Sequence, residues 1–285
     1  MHDPARKRAQ DREILRLAVP AFFALVAEPL FILADAAIIG HLGTPQLAGL
    51  GVAGAVLGTL VNLCVFLAYA TTAGVARLLG AGDRRGAIRQ GIDGVWLAAI
   101  IGTVLLVIGA GAAPAIVAAF DASSTAAPHA TTYLRISSLG IPAMLIVLAA
   151  TGVLRGLQDT RTPLVVAVAG FGANLVLNLA LVYGADLGIA GSAWGTVIAQ
   201  WSMAAAYLVV VVRGARANDA RLTPDLAGLR ASAAAGAPLF VRTVSLRAIL
   251  LIGAVAATRM GDTEIATHQV AWQIWTFLAF ALDAL

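Results

Sequence analysis

Long apolar runs separated by short polar segments make up most of the chain, and this pattern predicts a bundle of membrane-spanning helices. A helix needs about twenty apolar residues to cross a bilayer. Eight runs have this character, at 15–39, 46–76, 91–118, 131–154, 163–183, 190–212, 233–258 and 264–285. They are too long for the strands of a membrane barrel and lack a two-residue alternation. The pattern therefore predicts an all-α integral membrane protein with a polytopic helical bundle.

Basic residues are concentrated in alternate polar segments. The N-terminal residues up to Arg16, at the beginning of the first run, contain five Lys and Arg, and the second, fourth and sixth connecting segments contain four, two and four. Fifteen of the nineteen basic residues therefore lie on one side of the predicted membrane. Because such residues accumulate in cytoplasmic loops, we expect a multi-pass protein of the cell membrane with a cytoplasmic N-terminus.

An internal repeat predicts two related units. With a shift of 218 positions, residues 20–67 align with 238–285 without a gap, and eleven of the 48 pairs are identical. The hairpin segments HLGTPQLA and RMGDTEIA also match. Both copies begin on the cytoplasmic side, and parallel repeats of this kind are typical of transporters.

The repeat and the polar segments together predict the division of the chain. It consists of a cytoplasmic tail (1–13), a six-helix N-lobe (14–212), a cytoplasmic inter-lobe loop (213–232) and the first two helices of a C-lobe (233–285). Since the second unit has two helices where the first has six, we expect a truncated form of a longer protein. A natural eight-helix protein is the alternative.

Composition agrees with a membrane location and excludes several functions. The chain is 60% hydrophobic and 12% charged, against about 25% charged residues in soluble proteins. The net charge of +4 comes from loop arginines and does not indicate nucleic-acid binding. The sequence has no phosphate-binding loop, no zinc-protease motif and no nucleophile elbow. We therefore expect neither an ATP-driven pump nor an enzyme, and no cofactor other than a coupling ion.

Two carboxylic acids interrupt the first apolar run. Asp35 and Glu28 are seven residues apart, so they point in nearly the same direction on a helix. A charge at membrane depth costs roughly 2.5–3.5 kcal/mol on insertion scales and usually faces a bundle interior or a cavity. Asp35 is therefore a candidate proton or cation site, with a neutral core carboxyl as the alternative. Glu28 is a second protonation site or a carboxyl that lines a vestibule.

Polar side chains spaced by four residues occur in two later runs. Asn174 and Asn178 share one face of the fifth predicted helix, and Thr196 and Gln200 share one face of the sixth. Such groups bond to another helix or to their own backbone, but their oxygens also suit a hard cation. Asp35, Asn174, Asn178 and Thr196 together predict an oxygen-rich pocket within one bundle.

Two further positions in apolar runs are candidates. Pro20 lies fifteen residues before Asp35, and a proline there permits the first helix to bend, with a static kink as the alternative. Asp283 lies in the last run and is a candidate cavity carboxylate.

Several motifs, in their order along the chain, resemble those of the multidrug and toxic compound extrusion (MATE) transporters. They are LADAAIIGHLG with QLAGLGVAG, VARLLGAGD, LRGLQDTRTPL and NLVLNLALVYGADLGIAGSAWGTVIAQ. The likeness is greatest to the branch named after the DNA-damage-inducible protein F and begins at about residue 13. It implies twelve helices in two six-helix lobes around a V-shaped cavity. It also implies substrate export by alternating access, driven by inward flow of H+ or Na+.

The resemblance implies roles for single residues as well. Asp35 stands at the position of the coupling aspartate of this branch, and Pro20 matches a proline implicated in bending of the first helix. Tyr133 matches a cavity tyrosine. The polar partners of the aspartate in the fifth and sixth helices are matched by Asn174, Asn178 and Thr196.

Two departures from the family pattern bear on the coupling ion. Some members have a second aspartate where Asn178 stands and an asparagine where Thr151 stands. With one carboxylate fewer, a Na+ ion at Asp35, Asn174, Asn178 and Thr196 would be less well matched in charge. We therefore expect H+ coupling, with Na+ as the alternative.

These features predict a secondary antiporter that exports amphipathic, often cationic small molecules in exchange for H+ or Na+. Its partners would be a small-molecule substrate and the lipid bilayer, without nucleic acid, and we expect a monomer. A flippase for lipids or lipid-linked precursors, with the same superfold, is one alternative, and a markedly basic central cavity would favour it. A membrane enzyme and a non-functional fragment of a transporter are the others.

Overall fold

All secondary structure in the described residues is helical, which confirms the predicted all-α class. A computed structural model describes residues 33–260 and the isolated positions 267, 271, 274, 275, 278 and 279. The first helix, α1, is described at 33–40. The others are α2 (Thr44–Cys64), α3 (Phe66–Gly80), α4 (Arg84–Ala119), α5 (Ala127–Ser138), α6 (Ile141–Gly156), α7 (Arg161–Leu179), α8 (Gly188–Ala217) and α9 (Leu226–Met260). A π-helical turn, Ala180–Gly184, extends α7.

The predicted membrane-spanning runs from the second to the seventh correspond to long apolar helices. Five helical segments in the described residues are each long enough to cross a bilayer, and α5 and α6 add a sixth if the bent pair is counted as one span. α2 and α3 count as one segment of 37 residues, Thr44–Gly80. The first and eighth predicted runs fall mainly outside the described residues. The chain divides after Val241: Phe31–Val241 form one compact unit, and α9 from Arg242 onward belongs to another.

The fourth predicted run is a bent pair of helices. α5 and α6 meet at an angle of 50°. Pro142 lies in the first turn of α6, where its missing N–H disturbs no helical hydrogen bond. The carbonyl oxygen of Leu139, at the bend, accepts a hydrogen bond from Trp201 Nε1 on α8 at 3.0 Å. A run of apolar residues carries no record of such a bend, so the sequence predicted a single span.

Helices in the larger unit approach one another closely at small residues. α6 packs against α3, α4 and α8, and α7 packs against α8. A Cβ atom at Gly152 of α6 would lie 2.5 Å from the carbonyl oxygen of Ala68 on α3. Small residues at such points allow close contact in a membrane, where no hydrophobic force drives helix onto helix.

The segment between α8 and α9 is shorter than predicted. It comprises residues 218–225, whereas the sequence predicted a loop at 213–232. Both helices extend into the predicted loop because Ala, Leu and Arg, which are frequent there, favour helix. The segment lies on the beginning of α4. Asp225 pairs with Arg89 at 2.8 Å, and its N–H donates to Asp93 Oδ1 at 3.2 Å.

Asp159 caps the start of α7. Its Oδ1 accepts hydrogen bonds from the backbone N–H groups of Arg161 and Thr162 at 3.1 and 3.0 Å. Its Oδ2 accepts one from the Thr162 hydroxyl at 2.6 Å. Burial alone would raise the pKa of Asp159, but these bonds and the charge of Arg161 together lower it below its ordinary value of 3.8. The charged carboxylate therefore stabilises the helix start.

Asp159→Ala is expected to lower the free energy of unfolding by about 1 kcal/mol, the usual cost of a lost cap. Asp159→Asn, the matched control, keeps an acceptor oxygen and should cost less. Because the folded pKa is depressed, the extra stability from the charge is present above pH 3.8 and is lost as the pH falls through the folded pKa. Thermal unfolding in detergent between pH 3 and pH 7 measures both effects. A stability difference between wild type and Asp159→Asn that does not shrink at low pH would contradict the assignment.

Candidate functional site

Asp35 is the centre of a buried polar cluster. Its side chain is 6% exposed. Oδ1 accepts hydrogen bonds from Asn178 Nδ2 at 2.9 Å and from the Ser192 hydroxyl at 2.6 Å. Oδ2 accepts one from the Tyr133 hydroxyl at 3.2 Å. The predicted carboxyl, one predicted amide and the predicted tyrosine therefore meet, and α1, α5, α7 and α8 each contribute one side chain or more.

Asn174 and Thr196 form a second polar pair close to the first. Asn174 Nδ2 donates to Thr196 Oγ1 at 3.1 Å. Asn174 lies four residues before Asn178 on α7, and Thr196 lies four residues after Ser192 on α8. The pair therefore lies about one helical turn from the groups that contact Asp35.

Hydrophobic side chains surround the site. A buried cluster made up of residues from α1, α2, α4, α5, the π turn and α8 includes Ile38, Ile39, Tyr133 and Ala193. In such surroundings a polar group must find its partner within the protein. Among the described residues, the hydrogen bonds to Asp35 accordingly come from side chains of three neighbouring helices.

Two side-chain oxygens at the site have no hydrogen-bond partner among the described residues. They are Oδ1 of Asn174 and Oδ1 of Asn178. Both side chains are nearly fully buried, with exposures of 3% and 1%. An unsatisfied buried acceptor is unfavourable, so each oxygen is available to accept a hydrogen bond or to ligate a cation.

A glycine on α8 makes room for the Asn178 amide. A Cβ atom at Gly195 would overlap Asn178 Oδ1. α7 and α8 pack along their length, and the absence of a side chain at Gly195 lets the amide turn toward Asp35. Gly195 therefore shapes the site without touching the carboxyl.

Ser192 is the site residue that sequence reasoning missed. It is fully buried and makes the shortest hydrogen bond to Asp35. Ser192, Thr196 and Gln200 follow one another at intervals of four residues, so the pattern that identified the last two extends to Ser192. Serine is common in membrane helices, and only the contact with α1 distinguishes this one.

Ser192→Ala is expected to lower the free energy of unfolding by about 1–3 kcal/mol, because hydrogen bonds contribute about 0.5–1.5 kcal/mol, or 1.5–3 when one partner is charged. Ser202→Ala is the matched control on the same helix. In the described part of the chain, the Ser202 hydroxyl donates only to the Ile198 carbonyl of its own helix, at 2.8 Å, so its loss should change stability by less than about 0.5 kcal/mol. Thermal unfolding in detergent measures both, and equal effects would argue against a special role for Ser192.

The structure places two other predicted residues in different contacts. The Thr151 hydroxyl donates to Tyr207 Oη at 3.1 Å. The Tyr207 hydroxyl in turn lies 3.5 Å from the Pro163 carbonyl oxygen. Gln200 packs against Gly140 at the bend between α5 and α6. Three further candidates, Pro20, Glu28 and Asp283, lie outside the described residues.

Comparison of the sequence with known proteins identifies relatives of this chain. The MatE family model matches residues 20–180. Protein DETOXIFICATION 44, chloroplastic, of Arabidopsis thaliana is 32% identical over 289 residues, which cover 96% of this chain and 54% of that protein. DNA damage-inducible protein F of Escherichia coli (strain K12) is 29% identical over 290 residues, which cover 96% of this chain and 61% of that protein.

A solved structure has the same fold. The crystal structure of MATE in the bent conformation superposes with a TM-score of 0.83 at 23% identity, covering 95% of this chain and 62% of the other. The chain thus spans about half to three-fifths of the length of the relatives it matches. Because the family model matches more than half of the 285 residues, this multi-pass membrane protein belongs to the MatE family.

Proposed function

We propose that the chain carries the coupling-ion site of a secondary antiporter that exports amphipathic, often cationic small molecules in exchange for H+. The observation that carries the proposal is the environment of Asp35. All three of its hydrogen bonds in the described residues come from uncharged side chains. No basic side chain among the described residues holds this carboxyl in its charged form, and proton binding removes a charge that is unfavourable at membrane depth. A site that binds and releases a proton in this way can couple proton flow to alternating access.

The partners of Asp35 suit either protonation state. A carboxylate can only accept, and it receives three hydrogen bonds as the structure stands. A protonated carboxyl must also donate. The hydroxyls of Tyr133 and Ser192 can turn to accept, and the free Oδ1 of Asn178 becomes an acceptor for Asp35 after rotation of the amide. The site therefore offers acceptors for the proton that Asp35 would gain.

The same donor set suits Na+ less well. A hard cation requires several oxygen ligands with lone pairs directed at it, whereas three donors direct hydrogens at the oxygens of Asp35. The oxygens of Asn174 and Asn178 that have no partner are suitable ligands, but Asp35 would be the single carboxylate beside them in the part of the chain that the structure describes. H+ is therefore the proposed coupling ion.

Two relatives support the proposed substrate class. They are named multidrug resistance proteins, MdtK of Klebsiella pneumoniae (strain 342) and PmpM of Pseudomonas aeruginosa. We also propose that the transporter is a monomer in the cell membrane. Because arginine-rich segments accumulate in the cytoplasm, its N-terminus would lie on the cytoplasmic side.

Export of a fluorescent cationic dye from cells that carry the natural gene tests this function. The expected result is extrusion that stops when a protonophore is added and that does not depend on Na+ in the medium. Extrusion that persists with the protonophore and requires Na+ would overturn proton coupling. Equal dye retention in cells with and without the gene would overturn the export function for this class of substrate.

A further inference from the structure

The C-terminal end of α1 is held by a tyrosine that the proposed coupling step does not use. The Tyr183 hydroxyl donates to the Ile38 carbonyl oxygen at 2.7 Å. The last carbonyls of a helix have no partner within the helix. Those of Ala37 and Ile39 accept from His41 Nδ1 at 2.7 Å and Leu42 N–H at 3.0 Å. The caps on Ala37 and Ile39 thus come from the turn after α1, whereas the cap on Ile38 comes from the end of α7.

The π-helical turn directs Tyr183 to α1. It is closed by a hydrogen bond over five residues, from the Ala185 N–H to the Ala180 carbonyl oxygen at 2.9 Å. On a regular α-helix, positions five residues apart point about 140° away from each other, so Tyr183 would face away from α1 if Asn178 faced toward it. A π turn has more residues per turn and brings both side chains to α1.

α7 therefore contacts α1 at two points about one helical turn apart. Asn178 donates to the Asp35 carboxyl at 2.9 Å, and Tyr183 donates to the backbone three residues further on. The first contact holds the side chain of Asp35, and the second holds the backbone of α1. The two contacts together restrict the axial position and the rotation of residues 35–38.

The same π turn determines where α8 begins. A Cβ atom at Gly191 would lie 2.7 Å from the Leu181 carbonyl carbon and oxygen, so the first turn of α8 rests directly on the backbone of the π turn. The next residue, Ser192, donates to Asp35. The π turn is thus the common support of the two helices that supply Asn178 and Ser192 and of the helix that carries Asp35.

We propose that Tyr183 is a positioning residue of the coupling site. Its hydroxyl holds the end of α1 at the π turn, so that Asp35 stays within hydrogen-bond reach of Asn178 and Ser192. The proposal rests on the proposed function for the part that Asp35 plays in coupling. Tyr183 itself contacts neither the carboxyl nor the ion.

The test uses the chain in lipid nanodiscs and two variants that each lose one hydroxyl group. Tyr183→Phe removes the contact with Ile38. Tyr207→Phe, the matched control, removes a tyrosine hydroxyl that bonds to Thr151 in the same unit. Infrared difference spectra on acidification detect the carboxyl C=O band of Asp35, which is assigned by its absence in Asp35→Asn. Hydrogen exchange of residues 37–42 provides a second readout.

Tyr183→Phe is expected to shift the Asp35 band to higher frequency, because the carboxyl loses well-aligned donors. It should also speed exchange at residues 37–42 about two- to tenfold, the factor that corresponds to one hydrogen bond. Tyr207→Phe should change neither. A general loss of structure would change the band frequency and the exchange rate in both variants. A change in Tyr183→Phe alone therefore shows the effect of Tyr183 on the position of Asp35.

The failures of the two proposals can be told apart. If the Asp35 band is present and Tyr183→Phe leaves its frequency unchanged, the positioning role is overturned and the proposed function stands. If no band depends on Asp35 at any pH, the carboxyl does not take up a proton. The proton-coupled function then fails, and the role of Tyr183 fails with it.

Discussion

Asp35→Asn is expected to reduce dye efflux to the level of cells without the gene, because the amide has nearly the same size as the carboxyl but cannot bind and release a proton. The variant should still fold and enter the membrane. With its side-chain oxygen in the place of Oδ1, it can accept the hydrogen bonds of Ser192 and Asn178. Its NH2 group then takes the place of Oδ2 and can donate to the Tyr133 hydroxyl oxygen. Efflux assays and quantification of the protein in the membrane fraction measure the two outcomes separately.

Asp93→Asn provides a matched control for this experiment. Asp93 is also a buried carboxyl of the same unit, 3% exposed, but it accepts from the backbone of Asp225 at 3.2 Å, and an amide oxygen can take that bond. Efflux by Asp93→Asn should therefore remain. Efflux at the wild-type level by Asp35→Asn would remove Asp35 from the coupling mechanism. Equal losses in both variants would show a general need for buried carboxyls rather than a coupling role.

Much of the candidate site could be predicted from residue chemistry and helical spacing. A carboxyl in an apolar run is unfavourable enough to demand partners, and the spacing of Asn174 and Asn178 placed two amides on one face. The structure brings one of them to Asp35 and pairs the other with Thr196. Spacing within a helix therefore identified the right faces, although it could not assign each side chain to its partner.

The features that the sequence did not predict depend on contacts between helices. Ser192 differs from other serines only by its contact with α1. The π turn that turns Tyr183 toward Ile38 adds one residue to a helical turn without a change in hydrophobicity. The bend between α5 and α6 is equally invisible to a count of apolar residues, since both halves are apolar. Each of these depends on the geometry of a neighbouring helix, which an apolar run does not encode.

Gly152→Ala is expected to lower the free energy of unfolding by about 1–3 kcal/mol, the usual range for an added methyl group in a close-packed core. The new Cβ atom would lie 2.5 Å from the Ala68 carbonyl oxygen and 3.1 Å from Thr71 Cβ. The carbonyl belongs to the backbone of α3 and cannot rotate away as a side chain can. α3 and α6 must then separate, and the packing between them loosens along the contact.

Gly54→Ala tests whether this effect arises from packing or from the change of residue type. No atom lies within 4 Å of the position that a Cβ would take at Gly54 on α2. Alanine favours helix over glycine by about 0.5–1 kcal/mol, so this variant should be as stable as the wild type or more stable. Thermal unfolding in detergent, followed by tryptophan fluorescence, measures both. The same substitution should therefore lower the free energy of unfolding at Gly152 but not at Gly54. An equally large loss of stability at Gly54 would show that the close approach of α3 and α6 is not the cause.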